Sequence, residues 1–169
     1  MSAAWRRPRT ASQTTDPEGF RLRPMTRTDL RAILALERDL FPDDAWTPAM
    51  FREEFAQPPG SRVYVVAEDP AGQVVGYAGM MFPPDETADV LTIAVRQRTW
   101  GRGVGSALLG ALVEAARRRG RGQVLLEVRE DNPRARTLYR HRGFEEIGVR
   151  KAYYQPSGVD AIVMRKELR

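Results

Sequence analysis

The stretch "RTWGRGVGSALLGALVEAARRRG", Arg98 to Gly120, constrains this chain most. Glycines fall at every second position, Gly101, Gly103 and Gly105, and apolar residues then recur with helical spacing. A β-rich run, "ADVLTIAV" (88–95), comes just before. The chain therefore passes from a strand, through almost bare backbone, into a helix starting near Val104. At a helix start about four backbone N–H groups lack partners, and the macrodipole leaves partial positive charge there. Glycines permit the tight turn and keep side chains away from a ligand. Together these features make a cradle for a phosphate or pyrophosphate, with Arg98 and Arg102 as cationic neighbours. A glycine-rich turn without a ligand is the plainer alternative. The Walker loop fits worse, because "GSALLGAL" offers no lysine. The dinucleotide fingerprint wants Gly or Ala where Ser106 stands, but Glu127 lies near its acidic position and keeps it open.

The rest of the chain reads as alternating elements. "FRLRPM" (20–25) is a short strand, and Thr26 or Thr28 caps a helix with Leu30, Ile33, Leu34, Ala35, Leu36 and Leu40 on one face. "TPAMFREEFAQ" is a second helix, with Thr47 as cap and Pro48 at its first position. "RVYVVAED" (62–69) and "VVGYAGMMF" (74–82) form a hairpin across "DPAGQ". After the glycine loop and its helix comes the strand "QVLLEVRE" (123–130), then a helix opened by Asn132-Pro133 and closed by Gly143. "FEEIGVRKAYY" (144–154) and "DAIVMRKEL" (160–168) close the chain as two strands joined at "QPSG". The order β-α-α-β-β-β-α-β-α-β-β predicts one mixed α+β domain over residues 20–169. Residues 1–19 are polar, lack periodicity and are expected to form a flexible tail.

Composition removes several classes of chemistry. There is no cysteine, hence no thiolate nucleophile and no Cys-type zinc site. A single histidine, His141, excludes any site needing two and is expected on a helix surface. No stretch is long and apolar enough for a membrane helix, and the N-terminus lacks an apolar signal core, so the expectation is a cytoplasmic protein. The net charge of +5 favours anionic partners without choosing among them. The Arg117-Arg118-Arg119 run reads as a solvated helix end.

"RTWGRGVGSALL" resembles the acetyl-CoA loop of the GCN5-related N-acetyltransferases, whose pattern is Gln/Arg-x-x-Gly-x-Gly/Ala. Here the pattern covers Trp100, Gly101, Arg102, Gly103, Val104 and Gly105, and Trp100 stands where Gln or Arg is usual. A second hallmark is similar too: "LEVREDN" (126–132) followed by a helix ending "LYRHRGF" (138–144). Within that family the chain is most similar to the RimI-type ribosomal-protein alanine N-acetyltransferases, through "IAV", "LEVR", "LY" and the closing "YY" and "DAIVM".

The resemblance implies a mostly antiparallel sheet of about seven strands, splayed at the cofactor site and flanked by about four helices. It implies acetyl-CoA as cosubstrate and no metal. The cofactor would lie along Ile93, Ala94 and Val95, over Gly101, Arg102, Gly103, Val104, Gly105 and Ser106, and against Asn132. Asn132 is equally well explained as a helix cap. It also assigns Glu127 as the base and Tyr139 as the acid. With no cysteine for an acyl-enzyme, the acceptor amine attacks the thioester directly. A carboxylate between Leu126 and Val128 faces a cleft or a partner such as Arg129 or Arg150, because burying it alone is costly. Tyr139 reads otherwise as an aromatic packed on the sheet. The implied acceptor is a protein N-terminus, alanine on a small-subunit ribosomal protein, with Tyr153 and Tyr154 near its entry. No membrane or nucleic-acid role is expected. Two alternatives stay open: acetylation of a lysine or small-molecule amine, and a non-catalytic phosphate- or RNA-binding module.

Overall fold

Turn and cap residues set the element boundaries of the computed structural model, which describes residues 19–169. The expected flexible tail, residues 1–19, lies outside the described residues apart from Gly19. The elements are β1 (Arg21–Pro24), α1 (Leu30–Leu40), α2 (Pro48–Phe55), β2 (Arg62–Glu68), β3 (Val74–Met81) and β4 (Thr87–Val95). They continue with α3 (Val104–Arg118), β5 (Gln123–Arg129), α4 (Pro133–His141), β6 (Glu145–Tyr154) and β7 (Val159–Glu167). This is the order read from the sequence. Thr47 caps α2 by accepting from the Met50 amide at 3.3 Å, and Asn132 caps α4 by accepting from the Ala135 amide at 3.1 Å. Thr26 opens a 3-10 turn over Arg27–Asp29 before α1 begins.

Seven strands join in one sheet, ordered β1-β2-β3-β4-β5-β7-β6. All neighbours are antiparallel except β4 and β5. One face is covered by α3 and α4, where Leu108, Leu109 and Leu112 have no exposed surface. Burying each such leucine contributes about 1.5–3 kcal/mol. The other face is covered by α1 and α2, with Ile33, Leu36 and Phe51 packed on Val66, Tyr77 and Ala94. On α1, Ile33 and Leu36 are buried and Leu30, Leu34 and Leu40 pack half-buried on the same core, as expected; Ala35 lies outside that cluster, while Glu37 is 1% exposed.

Two glycines of β3 let neighbours approach closely. A Cβ on Gly76 would lie 3.0 Å from the Ala94 carbonyl and 3.1 Å from Leu108, so α3 sits directly on the sheet there. A Cβ on Gly79 would lie 2.7 Å from Tyr64 Cδ1. That ring is not free to move: the Tyr64 hydroxyl donates to Glu54 at 2.8 Å, and Arg62 holds the same carboxylate at 2.8 Å. We therefore expect Gly79→Ala to destabilise the fold by about 1–3 kcal/mol. In urea denaturation the midpoint should fall with the slope unchanged.

Candidate active site

The site begins where two strands part. β4 and β5 pair over only three positions, Thr87 with Gln123, Ala88 with Val124 and Asp89 with Leu125. Across β3, Gly79 faces Thr92 while Met80 faces Val90, so Leu91 is an extra residue in β4. Such a bulge bends a strand and reverses which side chains face which way. Before it, Ala88 and Val90 lie in the core under α3. After it, Ile93 and Val95 pack there, and Ala94 joins the opposite core. β5 continues straight along β7 through seven pairs, Gln123 to Arg129. The two strands therefore separate beyond Asp89.

The opening leaves the β5-facing edge of β4 beyond Asp89 without a strand partner, while β3 stays paired on the other edge. The Arg96 amide donates to the Val75 carbonyl of β3 at 2.7 Å. Peptide groups alternate in direction along a strand, so those of Val95 point the other way, into the opening. There the Trp100 indole N–H donates to the Val95 carbonyl at 2.8 Å. The Arg134 guanidinium, from the first turn of α4, lies 4.3 Å over the Trp100 ring. The tryptophan that replaces the expected Gln or Arg thus braces the loop against both β4 and α4.

The glycine loop has the geometry its sequence requires. Gly101 and Gly103 have φ of +75° and +84°, the left-handed region that disfavours side chains. α3 starts at Val104, and its first backbone bond runs from the Ala107 amide to the Gly103 carbonyl at 2.9 Å. The amides of Gly103, Val104, Gly105 and Ser106 find no acceptor among the described residues. A helix start with free amides of this kind can hold an anion. Gly105 has a different role from its neighbours: it lies inside α3, and its Cβ would meet Leu138 of α4 at 3.3 Å. The Ser106 hydroxyl accepts from Arg142 at 2.6 Å and keeps its own proton to donate. Arg102 lies over the Phe20 ring at 4.8 Å. Arg98 points away to the β2–β3 turn, bonding Gln73 at 3.0 Å and facing Asp69 at 3.6 Å, so it does not line the cradle.

Glu127 and Tyr139 lie on opposite faces of the sheet. Val124, Leu126 and Val128 of β5 are buried under α3, so Glu127 points to the other face, where it is half-buried. Arg150 of β6 holds it at 3.4 Å. Tyr139 is buried on the α4 side against Phe144, ring centroids 6.1 Å apart. Burial pushes its phenol up to about 12, and its hydroxyl has no hydrogen-bond partner among the described residues. The Tyr154 phenol is raised by burial, then by Tyr153, Tyr139 and Glu127, so it neighbours both groups. Its ring meets Tyr153 edge-on at 5.1 Å. His141 is exposed, as expected.

The α1–α2 loop closes the far side and was not legible as part of the site. Asp44 binds Arg129, at the end of β5, at 2.5 Å. Arg129 also lies 5.2 Å over the Tyr154 ring. The loop is fastened from below by Glu37, which accepts from the Trp46 amide at 2.9 Å and from the Tyr77 hydroxyl. Burial raises the Glu37 carboxyl above its ordinary range, against the pull of those two donors. A separate hollow of about 220 Å³ lies between α1 and residues 96–98, away from the opening. Among the described residues no cluster of His, Cys, Asp or Glu could hold a metal ion, and no helix is long and apolar enough to cross a membrane.

Comparison with known proteins identifies the family. The family model described as Acetyltransferase (GNAT) family matches residues 30–144. The chain is 43% identical over 159 residues to the N-alpha-acetyltransferase RimI of Mycobacterium tuberculosis, covering 91% of this chain and 96% of that one. The crystal structure of the ribosomal-protein-S18-alanine N-acetyltransferase from Escherichia coli superposes with a TM-score of 0.76 at 27% identity, over 88% of this chain and 94% of that one. A phosphinothricin acetyltransferase from Sinorhizobium meliloti, in complex with AcCoA, gives 0.74 at 28% identity over 87% of each chain.

Proposed function

Because the chain belongs to the GNAT acetyltransferase family, we propose that it moves acetyl from acetyl-CoA to the α-amine of a protein N-terminus, alanine on a small-subunit ribosomal protein. The observation that carries this reading is the parted pair of strands, with Glu127 on one face and Tyr139 on the other. Similarity to the RimI of Mycobacterium tuberculosis and the S18-alanine enzyme of Escherichia coli supports the acceptor.

Acetyl-CoA supplies the acetyl group as a thioester. The free amides at the start of α3 suit its diphosphate, and the open edge of β4 at Ile93 to Val95 suits a chain of amides laid alongside. The Asn132 side chain is engaged in capping α4 at 3.1 Å, so any contact from it is additional to that cap. Glu127 takes a proton from the acceptor ammonium through water. The neutral amine then attacks the carbonyl carbon, the C–N bond forms and the C–S bond breaks. As the bond forms, the amine's second proton passes through water to the departing thiolate, giving the free thiol.

Tyr139 faces the departing sulfur. A phenol raised to about 12 stays protonated through the neutral range. It is a weaker acid than a thiol, whose usual pKa is about 8.5. Its contribution is thus a hydrogen bond to the developing thiolate rather than surrender of its proton.

An α-amine suits this machinery better than a lysine. Free N-termini titrate near 7.7–8.0 and lysine near 10.4. At neutral pH roughly one α-amine in ten is neutral, against a few lysines in ten thousand. The difference of about 2.5 units corresponds to about 3.4 kcal/mol. Carboxylates are weak bases, so a carboxylate base fits the easier amine.

The testing experiment offers the enzyme acetyl-CoA and a peptide with a free N-terminal alanine and an internal lysine. Mass spectrometry should place the acetyl group on the α-amine; an acetylated lysine beside a free N-terminus would overturn the reading. Tyr139→Phe should keep acetyl-CoA affinity while kcat falls about 10- to 1,000-fold, about 1–4 kcal/mol. Wild-type turnover in that variant would make Tyr139 a packing residue. Glu127→Gln should lose most activity below about pH 8, where the amine is mostly protonated, and the deficit should narrow as pH rises. A deficit independent of pH would remove the base role.

A further inference from the structure

Two donors have reason to meet the Val95 carbonyl. Beyond Asp89 the open edge of β4 offers the N–H and C=O groups of Ile93 and Val95, since peptide groups alternate along a strand. The peptide N–H that belongs with the Val95 carbonyl, on Arg96, is bound to Val75 of β3 at 2.7 Å, so the oxygen faces the opening. An extended chain of amides laid along this edge would bring an N–H to about 2.9 Å from it. A donor from the chain itself already stands there: the Trp100 indole N–H, at 2.8 Å. The oxygen has a second lone pair, but an indole this close to it stands where such a chain must run.

The ring is held lightly. Trp100 follows the 3-10 turn Gln97–Thr99, and its own amide donates to the Gln97 carbonyl at 3.1 Å. That backbone anchor does not involve the indole, so the side chain can turn while the loop keeps its path. The residue is 40% exposed and is not wedged into either core. Its other contact is the Arg134 guanidinium, 4.3 Å over the ring, which has no hydrogen bond or ion pair among the described residues. A solvent-reachable hydrogen bond and an exposed cation–ring contact are both weak ties. The helices beside the opening are fastened separately, by Arg142 on the Ser106 hydroxyl at 2.6 Å, so the ring can leave while they stay.

We propose that Trp100 is an exchangeable latch on the cofactor groove, its indole and an amide of the acetyl-CoA arm competing for the Val95 carbonyl. The inference rests on the reading of Ile93 to Val95 as the edge along which the cofactor lies. An unpaired carbonyl inside a sheet is costly, and the indole satisfies it until the cofactor's amide takes over. The exchange turns the ring out of the opening and parts it from Arg134. Each cofactor molecule must displace the indole, so the affinity for acetyl-CoA is set partly by a residue that the bound cofactor pushes aside.

The test follows the indole itself. Nitrogen-labelled NMR of the full chain gives each indole N–H its own signal, and that of Trp100 is the one lost in Trp100→Phe or in Trp100→Tyr. Saturation with acetyl-CoA should speed the exchange of this proton with water about 2- to 10-fold, the range expected for loss of one hydrogen bond. Unchanged or slower exchange overturns the latch. Calorimetry reads the competition: Trp100→Phe keeps a ring under Arg134 and deletes the donor, so the Kd of acetyl-CoA should fall about 2- to 10-fold. A Kd equal to wild type or higher makes the indole a brace alone and overturns the proposal. Wild-type protein that binds no acetyl-CoA removes the cofactor reading, and this proposal with it. Acetyl-CoA bound beside a Trp100 proton that keeps its protection removes the latch and leaves the cofactor reading standing.

Discussion

The separation of β4 from β5 after Asp89 is the constraint on which the rest of the site depends. A parallel pair this deep in a sheet is normally continuous, because unpaired backbone in a protein interior is costly. Here the bulge at Leu91 bends β4 away while seven pairs to β7 keep β5 straight. The result is an edge strand inside the sheet. Beside it Glu127 lies on one face of the sheet and Tyr139 on the other. In the proposed reaction the base and the hydrogen-bond donor to sulfur occupy those two faces, so amine entry and thiolate departure do not compete for space.

An opening in a sheet must be held open by its surroundings. Trp100 ties the loop to β4 through the Val95 carbonyl and to α4 through Arg134. Arg142 returns from the end of α4 to the Ser106 hydroxyl and carbonyl on α3, at 2.6 and 2.7 Å. Gly105 lets Leu138 settle close between the same two helices. On the opposite face Glu37 fixes the α1–α2 loop to Tyr77, and Asp44 carries that loop across to Arg129. A buried Glu37 is an expensive anchor, but its two carboxylate oxygens satisfy a backbone amide and a tyrosine hydroxyl together.

The element order was legible because punctuation falls between periodic runs: Thr47-Pro48, "DPAGQ", Asn132-Pro133 and Gly143 each sit at the boundary they imply. The glycine turn and the start of α3 were legible for the same reason, since backbone conformation follows from local glycines. What was not legible depends on contacts distant in sequence. "ADVLTIAV" reads as one unbroken strand, and nothing in it marks Leu91 as the bulge. Glu37 is not among the apolar residues that mark the face of α1, and its role as an anchor depends on Tyr77, 40 positions away. Arg98 looks like a partner of the loop until the β2–β3 turn is seen to hold it.

The most direct measurement is the crystal structure of this protein with acetyl-CoA. The account predicts the diphosphate on the amides of residues 103–106, the pantetheine alongside Ile93 to Val95, and the thioester between Glu127 and Tyr139. It further predicts the sulfur nearer Tyr139 and the open face of the carbonyl towards Glu127. A thioester lying outside the parted strands, or one with its sulfur turned to Glu127, would contradict it.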